Sequence, residues 1–128
     1  MLREAGFAVL PEFTLASGRR ADLAALGARG EIWIVEIKSS QQDFFSDGKW
    51  HEYWEFCDRL YFACTPELDA TILPDEAGLI IADSWGGEII RHPAEAPLSA
   101  ARRKAVSLQF ARAAALRLHS LYDPVSGL

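Results

Sequence analysis

The alternation of apolar and polar residues divides the chain into several short strand-like runs and one long helical run. Residues 7–15 (FAVLPEFTL) predict a strand, and the proline inside it restricts that strand to a sheet edge or a bulge. Residues 19–26 and 31–40 predict two strands joined by GARG, a loop with glycine at both ends, as in a hairpin. Further strands are predicted at residues 59–65, and in a second hairpin formed by 78–83 and 87–92.

Helical periodicity appears at three places in the chain. Residues 2–6 predict the last turn of a helix that ends at glycine, and residues 43–57 predict a helical segment interrupted near Gly48. Ser99 is a suitable N-cap for a helix that runs to about Tyr122 and ends at Asp123–Pro124. Its predicted core-facing stripe consists of Val106, Phe110, Ala113, Ala114, Leu118 and Leu121. Arg103 and Arg117 project toward this stripe, so they should either extend their charged ends to solvent or find partners.

This order of elements predicts an α/β fold with a mixed central β-sheet flanked by helices. The chain has 128 residues, of which 50% are hydrophobic, so residues 1–128 fit one domain with a core that needs no disulfide or structural metal. Cys57 and Cys64 match no zinc-binding spacing, and we expect reduced thiols in a cytoplasmic protein. The sequence has no signal-peptide pattern and no membrane-spanning apolar run, which predicts a soluble protein.

Charge is distributed unevenly along the chain. The net charge is −5, which is not typical of a nucleic-acid-binding protein. Residues 99–128, however, carry five Lys/Arg and one Asp, whereas residues 1–98 carry eight Lys/Arg and 17 Asp/Glu. The basic C-terminal helix is a candidate phosphate-binding patch, although charge alone favours an ordinary solvated helix face.

The first predicted hairpin places charged residues on a strand that is otherwise apolar. Because side chains alternate along a strand, Trp33, Val35 and Ile37 should face the core, with Ile34, Glu36 and Lys38 on the other side. Folding the hairpin about GARG puts Asp22 opposite either Val35 or, with a one-residue bulge, Glu36.

In the bulged register, two carboxylates face each other across neighbouring strands. They would repel unless a proton or cation lay between them, and a hard divalent cation such as Mg²⁺ accepts oxygen ligands of this kind. Lys38 would then stand beside the cation, where it could hold a water molecule or stabilise charge on a phosphate. The alternative is that Glu36 and Lys38 occupy the polar face of a half-exposed strand and that Asp22 is an exposed residue or a partner of Arg20.

The arrangement of Asp22, a hairpin, and Glu36-Ile37-Lys38 resembles the PD-(D/E)XK nuclease superfamily, with Ala21 in place of the proline before the aspartate. More closely, the chain resembles the MmcB-like family of bacterial DNA-repair proteins. The segments that carry this resemblance are GFAVLPEFTLASGRRADLAAL, EIWIVEIKSS, DGKWHEYWEFCDRLYF and ARRKAVSLQFARAAALRLH.

The resemblance implies a restriction-endonuclease-like core and a role in DNA repair. It implies Asp22, Glu36 and the Ile37 carbonyl as ligands of Mg²⁺ or Mn²⁺, with Lys38 positioning the attacking water. The helix after the strand often adds a polar residue to such a site, and Lys49 and Tyr53 match that position, although ordinary surface and partial burial explain them equally well. Asp43 and Asp47, at the start of that helix, suit its dipole, and a role at the metal is the weaker interpretation.

We therefore predict a metal-dependent nuclease whose catalytic residues are Asp22, Glu36 and Lys38. Its expected partner is DNA, structured or damaged, with a second copy of the chain or another repair protein as a further candidate. Two other classes stay open: a non-catalytic DNA-binding or adaptor module, and a structural or oligomerisation domain. The candidate DNA-contacting residues are Arg19, Arg20, Lys49, Tyr53, Arg102, Arg103 and Lys104.

Overall fold

The computed structural model, which describes residues 1–123, contains one six-stranded sheet whose strands lie side by side in chain order. The strands β3, β4 and β5 are parallel to one another, and the remaining neighbours are antiparallel, so the sheet is mixed as predicted. The strands are β1 (Ala8–Thr14), β2 (Arg20–Leu26), β3 (Ile32–Ile37), β4 (Arg59–Cys64), β5 (Gly78–Asp83) and β6 (Gly86–Arg91).

In residues 1–123, two α-helices and two 3-10 helices accompany the sheet. They are α1 (Gln41–Phe45), the 3-10 helix Trp50–Phe56, the 3-10 helix Ala70–Ile72, and α2 (Ala100–Tyr122). The break between the first two lies at residues 46–49, which confirms the predicted interruption near Gly48.

The predicted ends of the long helix agree with the structure, whereas the first predicted helical turn does not. The Ser99 side chain accepts a hydrogen bond from the Arg102 N–H and caps the start of α2. The last residue of α2 is Tyr122 and its C-cap is Asp123, while Pro124 lies outside the described residues. Residues 2–6 form a turn rather than the end of a helix. Gly6 still ends that turn, at a φ of +92° that glycine adopts readily.

The two faces of the sheet bury different sets of residues. On one face, Phe13, Ile34 and Phe62 pack against residues of the 3-10 helix Trp50–Phe56 and of α2, including Phe56 and Phe110. The other face buries a smaller cluster around Val35, Tyr61 and Ile80, where Leu2 and Phe7 of the N-terminal segment provide the cover. Within residues 1–123, the helices therefore pack on one face of the sheet only, whereas we had expected helices on both faces.

The predicted stripe of α2 is buried only over its first half. Val106 and Phe110 are buried, whereas Leu118 and Leu121 are 53% and 81% exposed, so their assignment to the core was wrong. The Arg117 guanidinium binds the carbonyls of Pro11 and Glu12 in the edge strand β1, the latter at 2.6 Å. Because β1 is the edge of the sheet, the helix beyond this contact has no sheet to cover it.

A partly buried ion pair attaches the start of α2 to the sheet. The Asp58 carboxylate accepts hydrogen bonds from Nη1 and Nη2 of Arg103, each at 2.6 Å, and from the N–H groups of Ile32 and Leu98 at 2.8 and 2.9 Å. Burial opposes ionisation of Asp58, but these donors outweigh it and lower the pKa of the carboxyl below its ordinary value. Asp58 thereby holds together the beginnings of β3, β4 and α2.

Candidate active site

A polar pocket of about 740 Å³ lies at the C-terminal end of β3, beside the start of β2. It brings together residues from both strands and from the loop after α1. The predicted residues that line it are Arg19, Arg20, Asp22, Glu36, Ile37, Lys38, Lys49 and Tyr53, and Asp43 and Asp47 join them.

The register of the first hairpin is the one that places Asp22 beside Glu36. Leu23 pairs with Val35 and Leu26 with Ile32, which corresponds to the bulged alternative. The loop ends at Gly30, whose φ is +87°. Beyond the pair of Leu23 and Val35, side-chain carboxylates accept hydrogen bonds from main-chain N–H groups across the two strands. Glu36 Oε2 accepts from the N–H of Asp22 at 2.7 Å, and Asp22 Oδ2 accepts from the N–H of Ile37 at 2.8 Å.

The side chains of β3 divide between its two faces as predicted, except at the end of the strand. Val35 is buried on one face, and Ile34, Glu36 and Lys38 are buried on the other, at 1%, 3% and 6% exposure. Ile37, which we predicted to be core, is 51% exposed. Ile37 is the last residue of β3, and the segment that covers Val35 does not extend over it.

Burial makes Glu36 an unusual carboxyl group. Desolvation, with a smaller contribution from the negative charge of Asp22, raises the pKa of Glu36 to about 7, while the Asp22 N–H, the Tyr53 hydroxyl and the charge of Lys38 counteract it. Burial also raises the pKa of Tyr53 to about 12, so its hydroxyl keeps its proton at neutral pH. That hydroxyl donates a hydrogen bond to the Arg20 carbonyl at 3.3 Å.

Lys38 is held in place at its backbone and at its side chain. Its N–H donates to the Ala63 carbonyl at 2.8 Å, and its Nζ lies 3.1 Å from Oδ2 of Asp47. The other oxygen of Asp47 accepts a hydrogen bond from Arg19 at 2.8 Å. Burial opposes ionisation of Asp47, but the two cations outweigh it and lower the pKa of this carboxyl. Lys38 is therefore ion-paired with Asp47 and not with Glu36.

The predicted basic residues separate into two groups at opposite ends of β3. Arg19, Arg20 and Lys49 line the pocket at its C-terminal end. In α2, Arg103 binds Asp58 and the Gly30 carbonyl near the start of β3. Arg102 lies over the Phe56 ring at 5.0 Å, and Lys104, the third predicted residue of this group, is exposed. The structure thus does not bring the second group to the pocket.

Sequence reasoning gave Asp47 little weight and did not single out Asp58. Their main partners lie far away in the sequence, since Arg19 precedes Asp47 by 28 residues and Arg103 follows Asp58 by 45. No local pattern marks either aspartate. The one signal was that Arg103 projects toward the predicted core stripe of the helix, which indicated a need for a partner without identifying it.

Within residues 1–123, no group of three or more His, Cys, Asp or Glu side chains is arranged to hold a metal ion. The site offers the two carboxylates of Asp22 and Glu36, and no Lys or Arg in that part of the chain forms an ion pair with either. Glu36 and Asp22 each use one carboxylate oxygen to accept a hydrogen bond from a main-chain N–H group, which leaves each carboxylate a second oxygen.

The fold and the site define an α/β domain with two converging carboxylates and a neighbouring lysine at the end of a central strand. The chain belongs to the MmcB-like DNA repair protein family, whose model matches residues 1–125. No curated protein matches the chain. None of the helices in residues 1–123 combines the length and the apolar character needed to cross a bilayer.

A solved structure supports the same architecture. It is that of a protein of unknown function from Silicibacter pomeroyi, which is 48% identical in sequence and superposes with a TM-score of 0.92. The match covers 96% of this chain and 84% of that one.

Proposed function

We propose that this protein is a metal-dependent nuclease that hydrolyses phosphodiester bonds in DNA during repair, in the cytoplasm, on a restriction-endonuclease-like core. Membership of the MmcB-like DNA repair family supports the association with DNA repair. The observation that carries the proposed chemistry is the convergence of Asp22 and Glu36 in the pocket that also holds Lys38. DNA is the proposed substrate, and a second copy of the chain or another repair protein stays a predicted partner.

The chemistry of the donors fits a hard divalent cation. Glu36 is a buried carboxyl whose pKa is raised to about 7 mainly by desolvation, so a cation bound beside it would stabilise its ionised form. Mg²⁺ is commonly held by one or two carboxylates, together with water and substrate phosphate, so a third acidic side chain is not required. Asp22, Glu36 and the Ile37 carbonyl would hold Mg²⁺ or Mn²⁺. When bound, this cation would polarise a phosphoryl oxygen and lower the pKa of a water molecule.

Residues of the chain itself would orient the ligands and the attacking water. The N–H groups of Asp22 and Ile37 orient the two carboxylates, so the ligand oxygens need no rearrangement. Lys38 Nζ would orient the attacking water and stabilise negative charge on the phosphate. In the absence of DNA, Asp47 holds that ammonium group in the pocket, at 3.1 Å. The Tyr53 hydroxyl, which stays protonated, keeps its hydrogen bond to the Arg20 carbonyl in front of the pocket.

The second candidate function is a non-catalytic DNA-binding or adaptor module. One observation favours it: Lys38 is ion-paired with Asp47, and Arg19 with both Asp47 and Glu52, so the Lys38 ammonium group is already engaged in the described chain. A module of this kind would bind DNA without needing Asp22 or Glu36 as ligands. The third class, an oligomerisation domain, is not favoured by any observation on the pocket.

Cleavage assays with and without Mn²⁺ separate the two candidates. Wild type, Glu36→Gln and Lys38→Met would be incubated with single-stranded, nicked and branched DNA, with Glu88→Gln on exposed β6 as the matched control. We expect Mn²⁺-dependent cleavage by wild type and by the control. Both pocket variants should lose on the order of 100-fold in rate, which corresponds to about 3 kcal/mol of transition-state stabilisation. No cleavage of any substrate by wild type would favour the adaptor.

A further inference from the structure

The Asp47 carboxylate has a cation at each of its two oxygens. Arg19 Nη2 donates to Oδ1 at 2.8 Å, and Lys38 Nζ donates to Oδ2 at 3.1 Å. The three side chains are largely withdrawn from solvent, at 25%, 7% and 13% exposure for Arg19, Lys38 and Asp47. Arg19 also lies over the Tyr53 ring at 4.6 Å, which fixes the plane of its guanidinium group.

The two cations and the aspartate reach this position from different parts of the fold. Arg19 directly precedes β2, and Lys38 directly follows β3, so both are tied to the sheet. Asp47 lies in the connection of residues 46–49 between α1 and the next 3-10 helix, and its N–H donates to the Phe44 carbonyl at 3.0 Å. The cations therefore form a fixed pair, and the anion belongs to an irregular segment.

The arrangement has the chemistry of a phosphate site. Proteins commonly bind a phosphodiester through a guanidinium and an ammonium group that contact two oxygens of the same anion. Arg19 also has a buried Nε with no hydrogen-bond partner among the described residues. A carboxylate has two oxygens, both already engaged here, whereas a phosphate group has further oxygens to offer.

We infer that Arg19 and Lys38 form a phosphate-binding subsite for the DNA strand, and that Asp47 is an internal anion whose place the DNA phosphate takes. This rests on the proposed function, because the phosphate belongs to DNA entering the pocket of Asp22 and Glu36. Asp47 then lowers the affinity for DNA, since it competes with the phosphate for the same two cations. It also keeps the two like charges together while the pocket contains no DNA.

The test compares DNA binding by Asp47→Asn and Asp43→Asn in EDTA. Asp43 is the matched control because it lines the same pocket and carries the same charge, but it accepts hydrogen bonds from Ser39 instead of from the two cations. We expect Asp47→Asn to bind a short oligonucleotide about tenfold more tightly than Asp43→Asn. The gain should disappear in the Arg19→Gln background, since the phosphate would lose one of its two cations. Fluorescence anisotropy measures these affinities.

Two results would overturn the inference. Equal gains in the two asparagine variants would mean that only long-range charge had changed. A gain that persists in Arg19→Gln would mean that the phosphate does not bind at Arg19. Should Asp47→Asn fail to fold, the wild type itself provides the test. Titration with a dinucleotide should shift the side-chain ¹⁵N signals of Arg19, and the absence of a shift would contradict the subsite.

Measurement in EDTA separates this inference from the nuclease proposal. An Arg19-dependent gain in a protein that binds no Mn²⁺ would support the subsite and refute the nuclease. Mn²⁺-dependent cleavage without that gain would refute the subsite alone.

Discussion

The carboxylate of Glu36 accepts a hydrogen bond from the backbone N–H of Asp22 at 2.7 Å, and the carboxylate of Asp22 accepts one from the N–H of Ile37 at 2.8 Å. These two contacts continue the hairpin beyond its last backbone pair, Leu23 and Val35. The two strands that carry Asp22 and Glu36 therefore also hold the two carboxylates in place. The fold thus holds two carboxyl groups close together, and the negative charge of Asp22 contributes to the raised pKa of Glu36.

Glu36 should destabilise the metal-free protein at neutral and alkaline pH. Its pKa is about 7 in the folded protein and about 4.5 in the unfolded chain. As pH rises from 4.5 to 7, the unfolded chain loses this proton first, so the free energy of unfolding falls by about 3 kcal/mol and stays low above pH 7. Glu36→Gln removes this effect. In EDTA, we expect the variant to be more stable than wild type at pH 8, with the difference vanishing near pH 4.5.

Urea unfolding at a series of pH values measures this difference. Glu88→Gln, the same change at an exposed position on β6, should follow the wild-type curve. A Glu36→Gln protein that is less stable than wild type at pH 8 would contradict the conclusion that burial disfavours the ionised form of Glu36.

The ion pair of Asp58 and Arg103 should be a main support of the fold. Asp58→Asn leaves a half-buried guanidinium without its counter-charge, and we expect a loss of about 3 kcal/mol at pH 7. The folded-state pKa of Asp58 lies below the ordinary value of 3.8, so the carboxylate stabilises the protein above that pH and loses its contribution as pH falls further. The unfolding curves of variant and wild type should therefore converge in acid.

Thermal unfolding measures this contribution, with Asp75→Asn as the control because Asp75 is fully exposed. An Asp58→Asn protein as stable as wild type at pH 7 would show that α2 does not depend on this pair.

The two predicted basic groups should differ in their effect on DNA binding. Arg20 and Lys49 line the pocket, whereas Lys104 lies on α2, whose first turns are attached near the start of β3. We expect Arg20→Ala and Lys49→Ala to weaken the binding of a short oligonucleotide and to lower the salt dependence by about one phosphate contact each. Lys104→Ala removes the same charge and should leave both unchanged.

Binding isotherms at several salt concentrations measure both quantities. A loss in Lys104→Ala equal to that in Lys49→Ala would instead indicate a DNA path along α2.

The parts of the fold that were predictable depend on local signals. Glycines at both ends of GARG indicated the first hairpin, and Ser99 indicated the start of α2, because turns and caps are set by neighbouring residues. The exposure of Ile37 and Leu118 was not predictable in the same way. Periodicity gives the face on which a side chain lies, but not where the covering layer ends.

The candidate site also has one part that local sequence signals predict and one part that they do not. Asp22, Glu36 and Lys38 were predicted to lie together because one hairpin carries them, and the structure brings them to one pocket. Their catalytic and metal-binding roles stay predictions. Asp47 could not be assigned from the sequence, since its position depends on how the crossover from β3 to β4 folds back over the pocket.

Calorimetric titration of Mn²⁺ into wild type and Glu36→Gln, at low salt, with and without branched DNA, would show whether Asp22 and Glu36 form a metal site. We expect binding to wild type that is lost in Glu36→Gln and retained in Glu88→Gln. Wild-type protein that binds no Mn²⁺, or a Glu36→Gln protein that binds it equally well, would contradict the metal site formed by Asp22 and Glu36.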